Sequence, residues 1–166
     1  MTMPLRRMKL RTKELESELG ASFGKVRNWN TTTHHYAKFH QGWDLEADPG
    51  TPVYAVGDGE ITHAGFHPQF GQNIVLQFSK SGQARVSPVD PLWAFYAHLS
   101  LILVTEGQLV VAGEVIGETG YTGNASAAAP HLHFEIRNTS QPSPGLGGAG
   151  RIDPSSVLGY QHLLCS

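Results

Sequence analysis

The sequence predicts a mainly β protein with an antiparallel β-sheet core, a groove walled by loops and a short N-terminal helix. Three observations predict this class. Glycine and proline contribute 19 and 10 of the 166 residues, which favours tight turns and short strands over a helical bundle. Short apolar runs cut by glycine begin near Val53. Within these runs apolar residues recur at every second position, as at Leu132, Phe134 and Ile136, and this is the period of a β-strand.

The apolar runs are the predicted strands of the sheet. They cover residues 52–56, 59–66, 73–78, 92–97, 108–111, 114–117 and 132–137. Two polar loops rich in proline and glycine, residues 80–91 and 138–151, interrupt this pattern. Because loops of about a dozen residues often line a binding groove, we expect the loop at 80–91 to form a groove wall.

An amphipathic helix is predicted over residues 5–19, before the sheet begins. Its predicted face has spacings of 3, 4, 3 and 4 residues: Leu5, Met8, Thr12, Leu15 and Leu19. Gly20 follows, where a helix would end. Basic residues come first and acidic residues last, the reverse of what the helix dipole favours, so the helix needs a packing partner or more helix upstream. We therefore expect a docked arm, residues 1–20, in preference to a membrane-surface helix, and one domain over residues 21–166.

The charge distribution argues against a nucleic-acid partner. The net charge is −2, but residues 1–13 hold five basic side chains and no acidic one. The other residues therefore hold seven basic and fourteen acidic side chains, and such an acidic body does not fit a phosphate backbone. The longest strongly apolar stretch, 101–104, is far shorter than a membrane span or the core of a signal peptide.

The chain is rich in histidine, a residue that commonly binds metal ions. The sequence has nine histidines and a single cysteine, Cys165, so a metal site would depend on histidines and carboxylates. His40 and Asp44 form an HxxxD pair around Gly42. In a straight strand their Cα atoms would be ~13 Å apart, so a shared ion requires the backbone to bend near Gly42.

Two further histidines share one predicted strand, in the segment PHLHFEIR (130–137). Strand alternation places His131, His133 and Glu135 on one face, with the two imidazoles ~6–7 Å apart. That face is either a functional site or a solvated polar surface, and the segment alone leaves both open. Glu135 would either orient a ligand histidine or pair with Arg137.

Taken together, these residues match the needs of a catalytic zinc site. Such a site takes three protein ligands, commonly two histidines and a carboxylate, and leaves one position open. His40, Asp44 and one of the pair His131 and His133 supply three ligands. The other member of the pair remains for acid–base chemistry, together with His98 in the segment FYAHLS (95–100).

At this point the sequence resembles the lysostaphin-like, LytM-type family of zinc endopeptidases, which cut peptidoglycan peptides. The matching segments, in the family's order, are Ser22-Phe23-Gly24 with Arg27, FHQGWDLEADPGTPVYAVGDGEI (39–61), FGQNIVLQF (70–78), FYAHLS (95–100), GQLVVAGEVIGETGYTG (107–123) and PHLHFEIR (130–137). Their combination is specific and extends over about 22–158. The long loop at 80–91 and the short lead-in at 28–39 depart from the family, and both concern groove walls and substrate choice.

The resemblance implies roles for five residues. His40, Asp44 and His133 would be ligands of one zinc ion per chain, and His98 and His131 would be the two catalytic histidines. The implied fold is an antiparallel β core with a long narrow groove. The implied activity is that of a zinc metalloendopeptidase hydrolysing an amide bond in peptidoglycan peptides. A histidine would serve as the base, because the chain has no HExxH glutamate.

Two other functions remain as alternatives. Some members of this fold are non-catalytic modules that bind or regulate cell-wall hydrolases, and these have typically lost metal ligands, whereas all five positions are intact here. A phosphocarrier domain of sugar transport has a similar fold and paired histidines, but it does not need the HxxxD pair.

The expected substrate determines the expected location and partners. Peptidoglycan lies outside the cytoplasm, so we expect action in the periplasm or the extracellular cell wall, reached by a route that this sequence does not encode. The expected partners are peptidoglycan peptides, with an inhibitor or immunity protein if the chain is a secreted effector. The sequence does not distinguish a glycine bridge from a diaminopimelate cross-link as the target.

Overall fold

A computed structural model describes residues 1–80, 90–141 and 147–159, apart from the side chain of Trp29. In these ranges the chain forms eleven β-strands, one 3-10 helix (Glu18–Ala21) and one short α-helix, α1 (Pro154–Leu158). The strands are β1 (Gly24–Asn30), β2 (His35–His40), β3 (Trp43–Glu46), β4 (Pro52–Tyr54), β5 (Gly59–His67), β6 (Gly71–Ser79), β7 (Pro91–Ile102), β8 (Leu109–Val110), β9 (Val115–Thr119), β10 (His131–Arg137) and β11 (Arg151–Ile152).

The strands form one large sheet and one hairpin. The large sheet has nine strands, and its hydrogen-bonded path runs β11-β10-β7-β6-β5-β8. Beside this path, β3 pairs with β10, and β9 pairs with both β4 and β7. β1 and β2 form the separate two-stranded hairpin. Every one of these pairs is antiparallel, so the predicted antiparallel β core is confirmed.

The alternation predicted for β10 is present, and both faces of this strand are buried. Its apolar residues are fully buried in the main core: Leu132, Phe134 and Ile136. On the other face, His131, His133 and Glu135 are only 4%, 6% and 0% exposed. Because this polar face is covered, the alternative of a solvated surface is wrong.

The α-helix predicted over residues 5–19 does not form, and only the 3-10 helix Glu18–Ala21 is helical in this part of the chain. Residues 9–11 instead run beside β3. The backbone N–H of Glu46 donates to Lys9 O at 2.8 Å, the N–H of Arg11 donates to Asp44 O at 2.9 Å, and Leu10 forms an antiparallel bridge with Leu45. At residues 9–11 the backbone of the arm therefore bonds to the sheet.

Burial of apolar side chains explains why this part of the chain pairs with the sheet and does not form the predicted helix. Leu5 and Leu10 are 2% and 1% exposed and belong to the main core. Closer to the N-terminus, the N–H of Thr2 donates to Val56 O at 2.8 Å, and that of Tyr54 donates to Pro4 O at 2.9 Å. Tertiary contacts of this kind override a weak helix propensity. The division into an arm (1–20) and a following domain (21–166) stays a prediction.

Several predicted features concern residues outside the described ranges. The loop at 80–91 falls mostly at 81–89, the loop at 138–151 includes 142–146, and Cys165 lies in 160–166. Across the described ranges, the structure contains no helix of the length and apolarity needed to cross a membrane.

Candidate metal centre and active site

The HxxxD pair is brought together by a bend between two strands. β2 ends at His40 and β3 begins at Trp43, so the backbone turns near Gly42 as the spacing requires. Gly42 packs so tightly against β10 that an added Cβ would overlap the carbonyl oxygen of Phe134. His40 Nε2 consequently lies 3.1 Å from Asp44 Oδ1.

The pairing of β3 with β10 supplies the third member of the cluster. Asp44 is directly opposite His133 in this antiparallel pair, and His133 Nδ1 lies 2.8 Å from Asp44 Oδ1. The potential donor atoms of His40, Asp44 and His133 all lie within 4.8 Å of one another, and all three residues are buried. The geometry thus selects His133 over His131 as the member of the pair grouped with His40 and Asp44.

The second ring nitrogen of each of these histidines already has a partner. His40 Nδ1 lies 2.8 Å from Ser22 O, an acceptor that fixes the proton of the neutral ring on Nδ1. His133 Nε2 lies 2.9 Å from Glu135 Oε1, which likewise directs a proton to Nε2. Without a metal, burial lowers the pKa of His133, but the hydrogen bonds and charges of Asp44 and Glu135 raise it to about 9, so the ring also holds a proton on Nδ1 toward Asp44. Loss of the proton that faces Asp44 would leave a lone pair on that nitrogen of each ring, and two histidines with one carboxylate and bonded outer nitrogens match the donor set of a zinc site.

Asp44 is ionised and divides its two oxygens between different partners. Oδ1 faces the histidines, while Oδ2 accepts hydrogen bonds from the guanidinium groups of Arg11 and Arg27. Burial alone would raise the pKa of Asp44, but the charge of His40 and hydrogen bonds from His133 and His40 hold the pKa well below its ordinary value. Asp44 therefore offers an ionised, buried oxygen, Oδ1, on the side of the histidines, while Arg11 and Arg27 are paired with Oδ2.

Glu135 performs both of the roles predicted as alternatives for it. Oε1 bonds to His133 Nε2, and Oε2 accepts hydrogen bonds from the Nε atoms of Arg137 at 2.7 Å and Arg151 at 2.9 Å. Burial raises the pKa of Glu135, but the hydrogen bond and charge of His133 and the charge of Arg137 lower it to about 2. This ionised carboxylate holds the His133 ring in place.

His98 reaches the same site from an irregular position in β7. The pairing of β6 with β7 shifts register between Gln72 and Ile74, and the backbone of His98 has a φ of 63°. A non-glycine residue in this left-handed region is uncommon and is found preferentially at functional sites. The N–H of His98 donates to Phe70 O at 2.8 Å, outside the regular ladder. This bulge turns the imidazole of His98 toward the cluster of His40, Asp44 and His133.

His131 lies beside His98, and the two rings have matched hydrogen bonds. Their ring centroids are 5.0 Å apart. His98 Nδ1 bonds to Thr122 O at 2.8 Å and His131 Nδ1 to Ala129 O at 2.9 Å. Burial, followed by the charges of the other histidines, lowers the pKa of His98 to about 4, and burial also lowers the pKa of His131. Both rings are therefore neutral at pH 7, with Nε2 as a proton acceptor.

All five predicted residues line one cleft of about 830 Å³. Its other walls come from the N-terminal arm, the β1–β2 hairpin and the segments before β6 and β10. The arm and the segment before β10 touch beside the cleft, where Ser126 Oγ donates to Glu14 Oε1 at 2.9 Å. The predicted wall formed by the loop at 80–91 lies mostly at 81–89, outside the described residues.

Sequence reasoning missed one residue of this site. Arg11 was placed on a helix, yet its guanidinium lies against Asp44. Arg27 was noted only as part of a matching segment, although its Nη2 also bonds to Asp44 and its Nε to Gly20 O. Nothing local marks Arg11, because its partner is 33 positions away along the chain.

Comparison with known proteins assigns the family. A model of peptidase family M23 matches residues 38–144. The peptidoglycan DD-endopeptidase ShyA of Vibrio cholerae is 38% identical over 103 residues, which cover 62% of this chain and 21% of ShyA. The match thus spans only about a fifth of that protein's length.

Solved structures of peptidases are similar to this chain in fold. The catalytic domain of lysostaphin from Staphylococcus simulans superposes with a TM-score of 0.58 at 26% identity, covering 92% of this chain and 89% of that domain. A zinc-containing peptidase from Vibrio cholerae superposes with a TM-score of 0.56 at 29% identity, covering 80% of this chain and 37% of the other. Because the family model spans well over half of its residues, the chain belongs to peptidase family M23.

Proposed function

We propose that this chain is a zinc-dependent endopeptidase that hydrolyses peptide cross-links or stem peptides of bacterial peptidoglycan. The observation that carries the proposal is that five side chains meet at one cleft. In addition, the ring nitrogen of each histidine that points away from the centre of the site has a hydrogen-bond partner. ShyA, which shares 38% of the aligned residues, is a peptidoglycan DD-endopeptidase. The site of action is then the periplasm or the extracellular cell wall, where this substrate lies.

His40, Asp44 and His133 would hold one zinc ion per chain. They offer two imidazole nitrogens and one carboxylate oxygen within 4.8 Å of one another, which is the composition of catalytic zinc sites. Zinc in such a site acts as a Lewis acid and lowers the pKa of water to about 7. The three residues line the cleft, so a substrate carbonyl could approach them from there.

His98 and His131 would act on the substrate. Each holds its Nδ1 proton on a backbone carbonyl and leaves Nε2 toward the cleft, so the neutral ring accepts a proton there and donates it again. One histidine takes a proton from the attacking water and passes it to the leaving amine nitrogen. The other would donate a hydrogen bond to the carbonyl oxygen as negative charge develops, a contact worth ~2.7–4 kcal/mol. This role requires its ring to take up a second proton from solvent at Nε2 when the substrate binds.

Zinc content and turnover, measured separately, test the two halves of this assignment. Protein purified without added metal should contain zinc in a near-equimolar amount. His98→Ala and His131→Ala should keep that zinc and the fold but lose ~10²–10⁴-fold in turnover, because neither residue belongs to the ligand set. His35→Ala is the matched control, since His35 is exposed at the start of β2, and its turnover should be unchanged.

Defined muropeptides analysed by mass spectrometry identify the bond that is cut. Zinc-loaded wild-type protein that cleaves none of them would contradict the enzymatic assignment and favour the non-catalytic regulator. Near-normal turnover in His98→Ala or His131→Ala would remove that histidine from the catalytic set.

A further inference from the structure

The side chain of Arg11 joins the N-terminal arm to the cluster of His40, Asp44 and His133. This residue precedes the segment that matches the family model, which begins at residue 38. Its guanidinium Nη2 lies 2.9 Å from Asp44 Oδ2, and the residue is only 8% exposed. Arginine is almost never fully buried unless it is paired, and removing one partner of a buried ion pair leaves the other charge uncompensated.

The backbone fixes Arg11 in front of Asp44. The N–H of Arg11 donates to Asp44 O at 2.9 Å, and the preceding residue, Leu10, is 1% exposed and bridges to Leu45. Arg11 and Asp44 are therefore joined by both main-chain and side-chain bonds. The arginine cannot move away without removing Leu10 from the core.

The two oxygens of Asp44 have separate surroundings, and Arg11 helps to keep them so. Oδ2 receives Arg11 and Arg27, whereas Oδ1 faces His40 and His133 at 3.1 and 2.8 Å. The last torsion of an aspartate is broad and roughly two-fold, so an unrestrained carboxylate would turn. Arg27 bonds to the same oxygen and also to Gly20 O, so the two arginines share the restraint, and Arg11 is the more buried of them, with a side chain 10% exposed against 21% for Arg27.

We propose that Arg11 is a positioning residue of the metal centre, which holds Asp44 with Oδ1 turned toward the ion. The N-terminal arm thereby completes the site that the rest of the chain forms. The inference rests on the proposed function, because it assumes that His40, Asp44 and His133 bind zinc. It adds to that function a requirement for a residue outside the segment matched by the family model.

A competing electrostatic effect has the opposite sign. A guanidinium close to the site repels a cation, so removing Arg11 could strengthen metal binding if charge alone mattered. Loss of an outer-shell partner typically weakens metal affinity or activity by about 10–100-fold. Because the charge of Arg11 is already paired with Oδ2 at hydrogen-bond distance, orientation should be the larger effect.

The test measures zinc affinity by competition with a chromophoric chelator in four proteins: wild type, Arg11→Ala, Arg11→Lys and Lys9→Ala. Arg11→Ala should bind zinc about 10–100-fold more weakly than wild type, and Arg11→Lys should be intermediate, because a lysine keeps the charge but not the planar fork. Lys9→Ala is the matched control. It removes another cation of the arm, paired with Glu46 at 3.1 Å and half-exposed, and should bind zinc as the wild type does.

Cobalt(II) substitution gives a second readout that a purely structural role would not change. The visible absorption of bound cobalt reports ligand geometry, so Arg11→Lys should show an altered spectrum at a near-normal melting temperature, and Lys9→Ala should match the wild type. If Arg11→Ala does not fold, Arg11→Lys carries the comparison by itself.

Three results would overturn the inference. These are wild-type or tighter zinc affinity in Arg11→Ala, wild-type affinity and cobalt spectrum in Arg11→Lys, and an equal loss of affinity in Lys9→Ala. Failure of the proposed function is separate, because it would appear as a wild-type protein that binds no zinc.

Discussion

Two buried carboxylates flank His133, and the chain holds them in similar ways. Asp44 bonds to Nδ1 of this histidine and Glu135 to Nε2. Each carboxylate gives its other oxygen to two arginines. The arginines are Arg11 and Arg27 for Asp44, and Arg137 and Arg151 for Glu135. The same unit of histidine, carboxylate and paired arginines is thus used twice, on opposite edges of one imidazole ring.

The two units differ in what surrounds them. Asp44 lines the cleft, and its Oδ1 also lies near His40 and, at 3.7 Å, His131. Glu135 is 0% exposed and its arginine side chains are each 1% exposed, whereas the Arg27 side chain on the Asp44 side is 21% exposed. Asp44, which lines the cleft, is therefore available to an ion. Glu135, which is enclosed, acts as an internal support for His133.

The largest expected difference is in metal content. Asp44→Asn should lose nearly all zinc and at least ~10³-fold in turnover, since an amide is a poor zinc ligand and one of three ligands is replaced. Glu135→Gln should retain zinc at near-equimolar content, with weaker affinity. Elemental analysis after dialysis against metal-free buffer distinguishes the two, and equal zinc content in both variants would contradict the division of roles.

The order of effects should reverse for the stability of the metal-free protein. Glu135→Gln removes the negative charge that Glu135 supplies to the enclosed guanidinium groups of Arg137 and Arg151, and breaking such a pair costs ~3–5 kcal/mol. Asp44→Asn should cost less, because water can reach Arg27. Urea unfolding of chelator-treated protein gives both values. A larger loss in Asp44→Asn would show that the cleft-side unit is the main structural support.

The pH dependence of unfolding should carry the signature of Glu135. Its pKa is lowered from the ordinary 4.5 to about 2 in the folded protein, so the folded state is stabilised by the ionised form. This contribution, a few kcal/mol, is fully present above about pH 5 and is lost as the pH falls toward 2. The stability difference between metal-free wild type and Glu135→Gln should therefore shrink over this range. A constant difference would contradict the lowered pKa.

The smallest expected effect concerns the ring that covers Arg137. The Arg137 guanidinium lies 3.9 Å from the centroid of the Phe95 ring. Phe95→Leu should destabilise the protein by ~1 kcal/mol more than Phe78→Leu, because Phe78 is equally buried but Phe95 also has the cation–π contact and an edge-to-face contact with the Phe70 ring. Thermal unfolding at equal zinc loading measures the difference, and equal losses would assign no energy to these two contacts.

The sequence sufficed for those parts of the molecule that depend on local pattern. The period-two alternation of β10 gave the strand and the shared face of its two histidines, and the glycine in HQGWD indicated the bend that joins His40 to Asp44. These features are encoded within a few residues of one another. The three residues that cluster in space were all among those predicted.

Contacts between distant segments could not be predicted in the same way. The spacing of Leu5, Met8, Thr12, Leu15 and Leu19 suggested a helix, but the exposed edge of β3 offered hydrogen bonds to residues 9–11 and burial of Leu10 that the helix lacked. The role of Arg11 depends on that pairing and was therefore missed as well. The left-handed backbone of His98 arises from a bulge between two strands, and nothing in FYAHLS distinguishes this bulge from a regular strand.

The docking of residues 9–11 beside β3 limits how this family M23 unit can be recombined with others. A chimera whose junction lies at residue 38, where the family match begins, would omit the carbonyl of Ser22 and the guanidinium groups of Arg11 and Arg27, all of which bond to His40 or Asp44. It would also expose the edge of β3 and its unpaired backbone groups, a template for aggregation. A junction before Lys9 keeps Arg11, Arg27 and the pairing with β3, and a junction before Thr2 also keeps Leu5 in the core and the bonds of Thr2 and Pro4 to residues 54–56.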